Sequence, residues 1–320
     1  MKPNIILIWD GDTNSNLYDL ISKIDCSFYK FIHHSTKIID GVLIDKNLKL
    51  DLTNIDNKNT IVFGDFYQNS KNKRINDIID YFKDNDYFFI NDVRHTITKD
   101  KWKTYTLLNN LKLPVPLTAK IDLTGWDLTD TIKIKNEIKK SNLEFPLILK
   151  PVSGSKGIGV TKVESIERCI EILQLIFSVN ENDSFYCILQ EVIDTKLDLR
   201  FHVLKNNDES KIISCLSRSS NKDFRKNISL GGEIKEIDIS QINKSVLNIV
   251  KDSVSILKNE YLVGVDVLID NDDNVYILEL NSKPAFYGPK INIIQSLLDF
   301  LIPKTKENNE SLSTLFKTIF

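Results

Sequence analysis

The stretch Val263-Gly-Val-Asp-Val-Leu-Ile-Asp-Asn-Asp-Asp-Asn-Val-Tyr-Ile-Leu-Glu-Leu-Asn281 reads as two apolar strands joined by a turn. Residues 270–274 are dense in turn formers, and the flanking runs are rich in β-branched residues, as paired strands are. Glu279 and Asn281 stand two apart on one strand and share a face. With Asp270 and Val275 closing the turn, Asp266 falls directly opposite Glu279. Two carboxylates at cross-strand distance repel, and burying them among Val267, Leu268 and Leu278 is costly. A divalent cation resolves the conflict. Asp266, Glu279 and Asn281 together make a hard, all-oxygen shell suited to Mg²⁺ (or Mn²⁺), with phosphate oxygens as further ligands.

A second signal lies upstream, in Phe145-Pro-Leu-Ile-Leu-Lys-Pro-Val-Ser-Gly-Ser-Lys-Gly-Ile-Gly-Val160. A P-loop places its lysine after the glycines, where a helix opens. Here Lys150 precedes them, at the end of an apolar strand. Packing would hold its stem while the ammonium emerges at the strand end as a point charge for phosphate. Gly154, Ser155, Gly157 and Gly159 then suit a mobile lid with inward-turned N–H groups; read alone, the same loop is equally a tight turn. Gln190-Glu-Val-Ile193, where a strand runs into a linker, offers backbone donors and acceptors to a flat heterocycle. Asp198-Leu-Arg200, Arg218 and Arg225 gather a carboxylate and guanidinium forks, which suit phosphate or carboxylate recognition and equally suit surface ion pairs.

Outward from these motifs the chain divides into parts. Residues 1–97 alternate short apolar strands (4–8, 38–44, 60–63, 87–90) with helices through Leu17, Leu20, Ile21 and Ile24 and over 75–82. That is a small α/β domain without a phosphate fingerprint. Residues 98–185 open with a helix over 102–111, stopped by Leu113-Pro-Val-Pro116. They continue with strands at 118–123, 146–150 and 159–163 and helices at 131–140 and 165–177. Residues 186–303 form an α+β block with strands at 186–193, 198–204 and 212–218, a helix over 242–258 and the opening hairpin. Residues 304–320 are a polar tail whose end, 311–320, suits a docked helix.

At 320 residues the chain buries a sizeable core, and 27% charged with 42% hydrophobic residues is the composition of a soluble globular protein. A formal net charge of -2 provides no global basic field, so neither nucleic acid nor an anionic membrane is an expected partner. No apolar run approaches the roughly 20 residues that span a bilayer. The start, Met1-Lys-Pro-Asn-Ile-Ile-Leu-Ile-Trp-Asp10, lacks a small-residue cleavage site and reads as a first strand. Cys26, Cys169, Cys187 and Cys215 show no ligand spacing, and reduced thiols in a cytoplasmic protein are expected. Homo-oligomerisation is left open.

Taken in order, these motifs resemble the ATP-grasp superfamily, and most closely its RimK-like carboxylate–amine ligases. The resemblance covers about residues 88–300. It rests on Asp100-Lys101, Leu113-Pro-Val-Pro116, Ile148-Leu-Lys-Pro151, Gly154-Ser-Lys-Gly-Ile-Gly-Val160, Leu189-Gln-Glu191 and Asp198-Leu-Arg200. Asp223-Phe-Arg-Lys-Asn227 followed by Gly231-Gly232, then Gly264-Val-Asp266 and Glu279-Leu-Asn-Ser-Lys-Pro284, complete it. Residues 1–97 resemble only the layout of a pre-ATP-grasp domain.

The resemblance implies ATP held between two α+β subdomains, with Lys101 and Lys150 on the phosphates and the glycine loop above them. Gln190, Glu191, Val192 and Ile193 would line the adenine hinge, Asp198 the ribose side, with Arg200 and Asn227 also on the nucleotide. Arg225 and Arg218 would stabilise the reacting phosphate or acyl group, and Asp266, Glu279 and Asn281 would hold Mg²⁺. The implied reaction joins a carboxylate to an amine through an acylphosphate, on an amino acid, a peptide or a peptide-like substrate. Two alternatives remain open: a peptide-modifying, macrocycle-forming ligase, and a small-molecule kinase that stops at phosphoryl transfer. Two positions depart from the family: Lys283 replaces a small residue, and Ala285 replaces a glycine. Lys283 is expected to reach solvent harmlessly; the alternative is a cation beside the metal site that favours an acidic acceptor.

Overall fold

A computed structural model of the chain describes residues 2–9, 15–32, 34–64, 72–90, 92, 97–127, 131–154, 157–178, 186–220, 232–258, 260–284 and 288–302. Ser155, Arg225, Asn227 and Ala285, together with the expected terminal helix over 311–320, lie outside the described residues. The chain forms two compact units. One spans Met1–Ile90 and takes up the chain again from Asn292; the other is Asn91–Ile291.

In the first unit, β1 (Asn4–Ile8), β2 (Ser27–Phe31), β6 (Thr60–Gly64) and β7 (Phe88–Ile90) form a parallel sheet in the order β2-β1-β6-β7. Helix α2 (Lys73–Asp84) carries Ile75, Ile78, Ile79 and Phe82 on one face, all fully buried against Ile6, Ile8 and Val62 of the sheet. Asn72 caps it by accepting from the N–H of Arg74 at 3.1 Å. The single strand expected over 38–44 is in fact a hairpin, β3 (Lys37–Ile39) and β4 (Val42–Ile44), with β5 (Lys49–Asp51) alongside. Asp40 and Gly41 turn it with φ of 49° and 76°, the pair of positive angles that a type I′ turn demands. Helix α7 (Ile293–Leu301) also belongs to this unit, where it packs on α1 (Ser15–Ser22); Asn292 Nδ2 donates to the Leu20 carbonyl at 2.7 Å.

The second unit holds two antiparallel sheets. One, in the order β10-β9-β11-β8, consists of β8 (Thr118–Asp122), β9 (Leu147–Pro151), β10 (Thr161–Val163) and β11 (Tyr186–Glu191). Leu147, Leu149, Cys187 and Leu189 point to one face and pack on α4 (Ile132–Lys140) and α5 (Ile166–Ser178). By strand alternation Ile148, Lys150 and Gln190 point to the other face.

The second sheet has the order β14-β13-β12-β15-β16. Its strands are β12 (Thr195–Lys205), β13 (Ser210–Ser219), β14 (Glu233–Ile237), β15 (Leu262–Asp270) and β16 (Val275–Asn281). Odd-numbered residues of β12 and β15, Leu199, Phe201, Val203, Val263, Val265 and Val267, pack on α3 (Lys101–Asn110) and α6 (Lys244–Ser255). Even-numbered residues of the same strands therefore face the site described below. Between α3 and β8 the proline-rich segment runs extended along the second sheet, where the Pro114 carbonyl accepts from the N–H of Ile277 at 2.8 Å. This mixed α/β and α+β architecture, a small N-terminal α/β layer and a two-sheet body, is the one expected from the sequence. No helix among the described residues is long and apolar enough to cross a membrane.

Candidate active site

Across the second sheet one lateral row reads Leu216, Arg200, Asp266, Glu279, each directly paired with the next. The expected pairing of Asp266 with Glu279 is present, but it is reached differently. The hairpin closes one residue short, at Ile269 and Val275, and an irregularity between Asp266 and Val267 restores the register by leaving Leu278 unpaired. Because of that bulge Leu278 and Glu279 both reach the cavity, while Ile277 and Leu280 stay in the core.

Direct pairing puts Arg200 onto Asp266 as a two-pronged fork, Nε to Oδ1 and Nη2 to Oδ2, each at 2.6 Å. Arg218 reaches the same carboxylate diagonally, Nη1 to Oδ2 at 3.0 Å, and donates Nε to Asp198 Oδ1 at 2.8 Å. Burial alone would push the Asp266 carboxyl up, but Arg200 and Arg218 outweigh it and hold the group well below the usual carboxylate range. Burial likewise disfavours the Arg218 cation, and Asp266 and Asp198 more than compensate, so it stays charged. Glu279 lies beyond this network. Its Oε1 is 3.9 Å from Arg200 and accepts from Asn281 Nδ2 at 3.1 Å.

On the first sheet, Lys150 is buried, with only 6% of its surface exposed, so its ammonium does not emerge at the strand end as the sequence suggested. It donates to Gln190 Oε1 at 2.7 Å. Burial pushes the ammonium down to about 8; Glu279 and Asp266 oppose that shift and Lys101 adds to it. Lys101 opens α3 behind Asp100, whose Oδ1 caps the helix at Lys103 N–H (3.0 Å) and whose Oδ2 accepts from the Tyr186 hydroxyl (3.0 Å). Its Nζ donates to the Gly154 carbonyl at 2.9 Å, tying the helix start to the base of the loop. Gly154, Gly157 and Gly159 take φ of 125°, 72° and 74°, angles that residues with a β-carbon avoid.

These side chains meet at one cavity within the second unit. Lys101, Lys150, Gly154, Gly157, Asp198, Arg218 and Glu279 line it, as does the strand end formed by Gln190, Glu191, Val192 and Ile193. Gly159, Arg200, Asp266 and Asn281 do not line it. Arg200 and Asp266 stand behind its wall as partners of Arg218 and neighbours of Glu279. The Glu191 carboxylate accepts from the Leu117 N–H at 2.6 Å. The sequence reading missed the apolar walls, Ile148 on one sheet with Leu268 and Leu278 on the other, which form a slot suited to a flat ring. Period-two alternation from Lys150 would have found Ile148; finding Leu278 required knowledge of the bulge.

Beyond Asn281 the chain is pinned by Ser282, which donates to the buried Glu260 at 2.6 Å and hydrogen-bonds Thr98. Lys283 sits beside Lys99, whose ammonium is pushed down by burial and by the Lys283 charge.

Residues 98–301 match the family model of the RimK-like ATP-grasp domain. The chain belongs to the RimK-like ATP-grasp family. ATP-grasp enzymes use ATP. Among curated relatives, the coenzyme γ-F420-2:α-L-glutamate ligase of Methanocaldococcus jannaschii is 30% identical over 206 residues, 62% of this chain and 64% of that protein. The chain thus spans just under two-thirds of the length of that relative. Two solved structures share the fold. PsnB, an ATP-grasp ligase complexed with minimal precursor, Mg and ADP, is 16% identical with a TM-score of 0.63, covering 93% of this chain and 96% of that one. D-alanyl-alanine synthetase A of Vibrio cholerae is 11% identical with a TM-score of 0.62, covering 94% and 99%.

Proposed function

We propose that this RimK-like ATP-grasp protein joins a carboxylate to an amine, activating the carboxylate with the γ-phosphate of ATP and releasing ADP and phosphate. The observation that carries the reading is the cavity in which two lysines, a glycine lid, a strand-end hinge, Arg218 and Glu279 converge. Phosphoryl transfer needs charge neutralised on the moving group and on the leaving ADP, and no protein nucleophile. Lys150 supplies a cation from the first sheet, Lys101 one from the start of α3, and Arg218 one from the second sheet. The acyl carbon of the resulting acylphosphate is then open to a neutral amine, and phosphate leaves as the amide forms.

The donor set fits Mg²⁺. Glu279 presents its carboxylate at the cavity, and Asn281, hydrogen-bonded to it, stands just outside the lining. An ionised carboxylate has about four lone-pair sites; Arg200 and Arg218 take three of those on Asp266, which leaves one for a cation. Glu279, Asn281 and Asp266 would hold the ion, which would draw charge from the β- and γ-phosphate oxygens.

For the amine substrate we favour an acidic amino acid. The name of the M. jannaschii relative points to L-glutamate, and Lys99 and Lys283 place two cations just past Asn281. Free, buried Cys169, Cys187 and Cys215 and the demand for ATP fit a cytoplasmic setting. A screen of ADP release over amino acids and peptides, with mass spectrometry of the products, tests the reading. Glutamate-dependent ADP release with an amide product is expected. ADP release that yields only phosphorylated product would favour the kinase alternative and overturn the ligase.

A further inference from the structure

A chain of directed hydrogen bonds crosses the first sheet behind the cavity. Lys150 Nζ donates to Gln190 Oε1 at 2.7 Å, Gln190 Nε2 donates to Thr118 Oγ1 at 2.9 Å, and the Thr118 hydroxyl donates to the Pro116 carbonyl at 2.9 Å. Its members come from three adjacent strands and the segment leading into β8. Thr118, Gln190 and Ile148 are lateral neighbours, and Lys150 lies one diagonal step away. All three side chains are at least 94% buried.

Donor and acceptor roles in this chain allow only one arrangement. An ammonium donates and never accepts, so the Gln190 amide must turn its oxygen to Lys150. That leaves the amide NH₂ facing Thr118, whose oxygen must accept it. The threonine hydrogen is then free to point only at the Pro116 carbonyl, which can do nothing but accept. Reversing the amide would set NH₂ against NH₃⁺ and leave two buried donors unsatisfied, at a cost of about 1–3 kcal/mol each.

The acceptor on Lys150 is also neutral. A carboxylate at position 190 would form a closed ion pair and cancel the charge that ATP phosphates are to meet. An apolar residue there would leave a buried ammonium unanchored on a flexible four-carbon stem. Gln190 avoids both. It fixes the direction of one N–H and leaves the positive charge and the other two N–H groups to the cavity.

We propose that Gln190 is the positioning residue for Lys150, oriented by the Thr118 hydroxyl, and that its side chain serves the phosphates of ATP rather than the adenine. This departs from the sequence reading, in which Gln190 belongs to the adenine hinge. It rests on the proposal that this cavity is the ATP site.

The test measures binding of ATP and, separately, of adenosine by calorimetric titration of the full chain, and so does not depend on the second substrate. Thr118→Val keeps the shape and removes the hydroxyl; Thr118→Ser keeps the hydroxyl. Gln190→Glu converts the neutral acceptor to a charged one, and Gln190→Met removes it. Thr118→Val, Gln190→Glu and Gln190→Met should each weaken ATP by about tenfold or more, the effect of one charge-assisted hydrogen bond, with adenosine affinity unchanged. Thr118→Ser should bind ATP like the parent. Parallel loss of ATP and adenosine in the Gln190 variants would assign the side chain to adenine, or to the structure in general, and overturn the proposal. Undiminished ATP affinity in Thr118→Val would overturn it as well. Failure of the parent chain to bind ATP at all would instead remove the site assignment on which the proposal rests.

Discussion

Asp266 and Glu279 face each other across one strand pair, yet the structure gives them different duties. Asp266 is 2% exposed and holds Arg200 and Arg218; Glu279, with 28% of its side chain exposed, touches Asn281 and the cavity. Removing the charge of Asp266 leaves two guanidiniums without their buried partner, which for a buried network costs about 3–5 kcal/mol. Asp266→Asn should therefore lower both stability and ATP turnover. Glu279→Ala should abolish ATP turnover while the denaturant midpoint stays near that of the parent. An active Glu279→Ala enzyme would contradict the metal role, and an Asp266→Asn variant of parental stability would contradict the network.

Lys150 carries a second prediction at this scale. Burial lowers its ammonium to about 8 against the opposing fields of Glu279 and Asp266, with Lys101 adding to the shift. ATP favours the charged form and so raises that value on binding. Affinity should be full below pH 8 and fall above it, by up to about tenfold per pH unit, as free Lys150 loses its proton. Titrations across that range check this, and Lys150→Met should flatten the alkaline limb. A parent profile that is already flat would show that Lys150 does not meet the phosphates.

Among the elements, the hairpin β15–β16 governs the site, and its far end is close-packed. A β-carbon on Gly264 would lie 2.9 Å from Pro284 Cβ and 3.5 Å from Asn281 Cβ. The proline ring cannot swing away, so Gly264→Ala should displace the segment 281–284 and cost about 1–3 kcal/mol, as overpacking does. Equilibrium unfolding measures this; unchanged stability would mean that the segment yields freely.

The same hairpin shows what the sequence could and could not carry. Its strands, its turn and the facing of Asp266 and Glu279 were legible because alternation and turn chemistry are local. The bulge at Leu278 was not, because it is fixed by packing Ile277 and Leu280 into one core. Strand β14, Glu-Ile-Lys-Glu-Ile, and strand β2, Ser-Phe-Tyr-Lys-Phe, escaped notice for a related reason. Both are edge strands that carry lysine or glutamate among their apolar residues, which blurs the apolar run, and each pairs with a single neighbour. Arg200 stood in the sequence two residues from Asp198, but its partner Asp266 is 66 residues away and follows only from the β12–β15 register.

At the scale of the molecule, a parallel α/β unit closed by α7 and a two-sheet unit that contains the whole cavity divide the chain. The second of these follows the RimK-like match, residues 98–301, almost from end to end. Motif order made that unit readable, whereas the first unit lacks motifs and was legible only as a layout. The two sheets bring complementary groups to one cavity. Lys150 on its strand and the glycine loop come from the first, and carboxylates with their arginine partners from the second. On the proposed reading such a site moves a phosphoryl group onto a carboxylate, and whether a carbon–nitrogen bond then forms separates a ligase from a kinase.

An isotope measurement decides between them most directly. With a substrate whose carboxylate carries ¹⁸O, amide formation through an acylphosphate transfers one labelled oxygen to the released phosphate. The account predicts an amide whose mass is the sum of both substrates less water, together with ¹⁸O-labelled phosphate. A phosphorylated product with no carbon–nitrogen bond, or an amide formed with unlabelled phosphate, would contradict it.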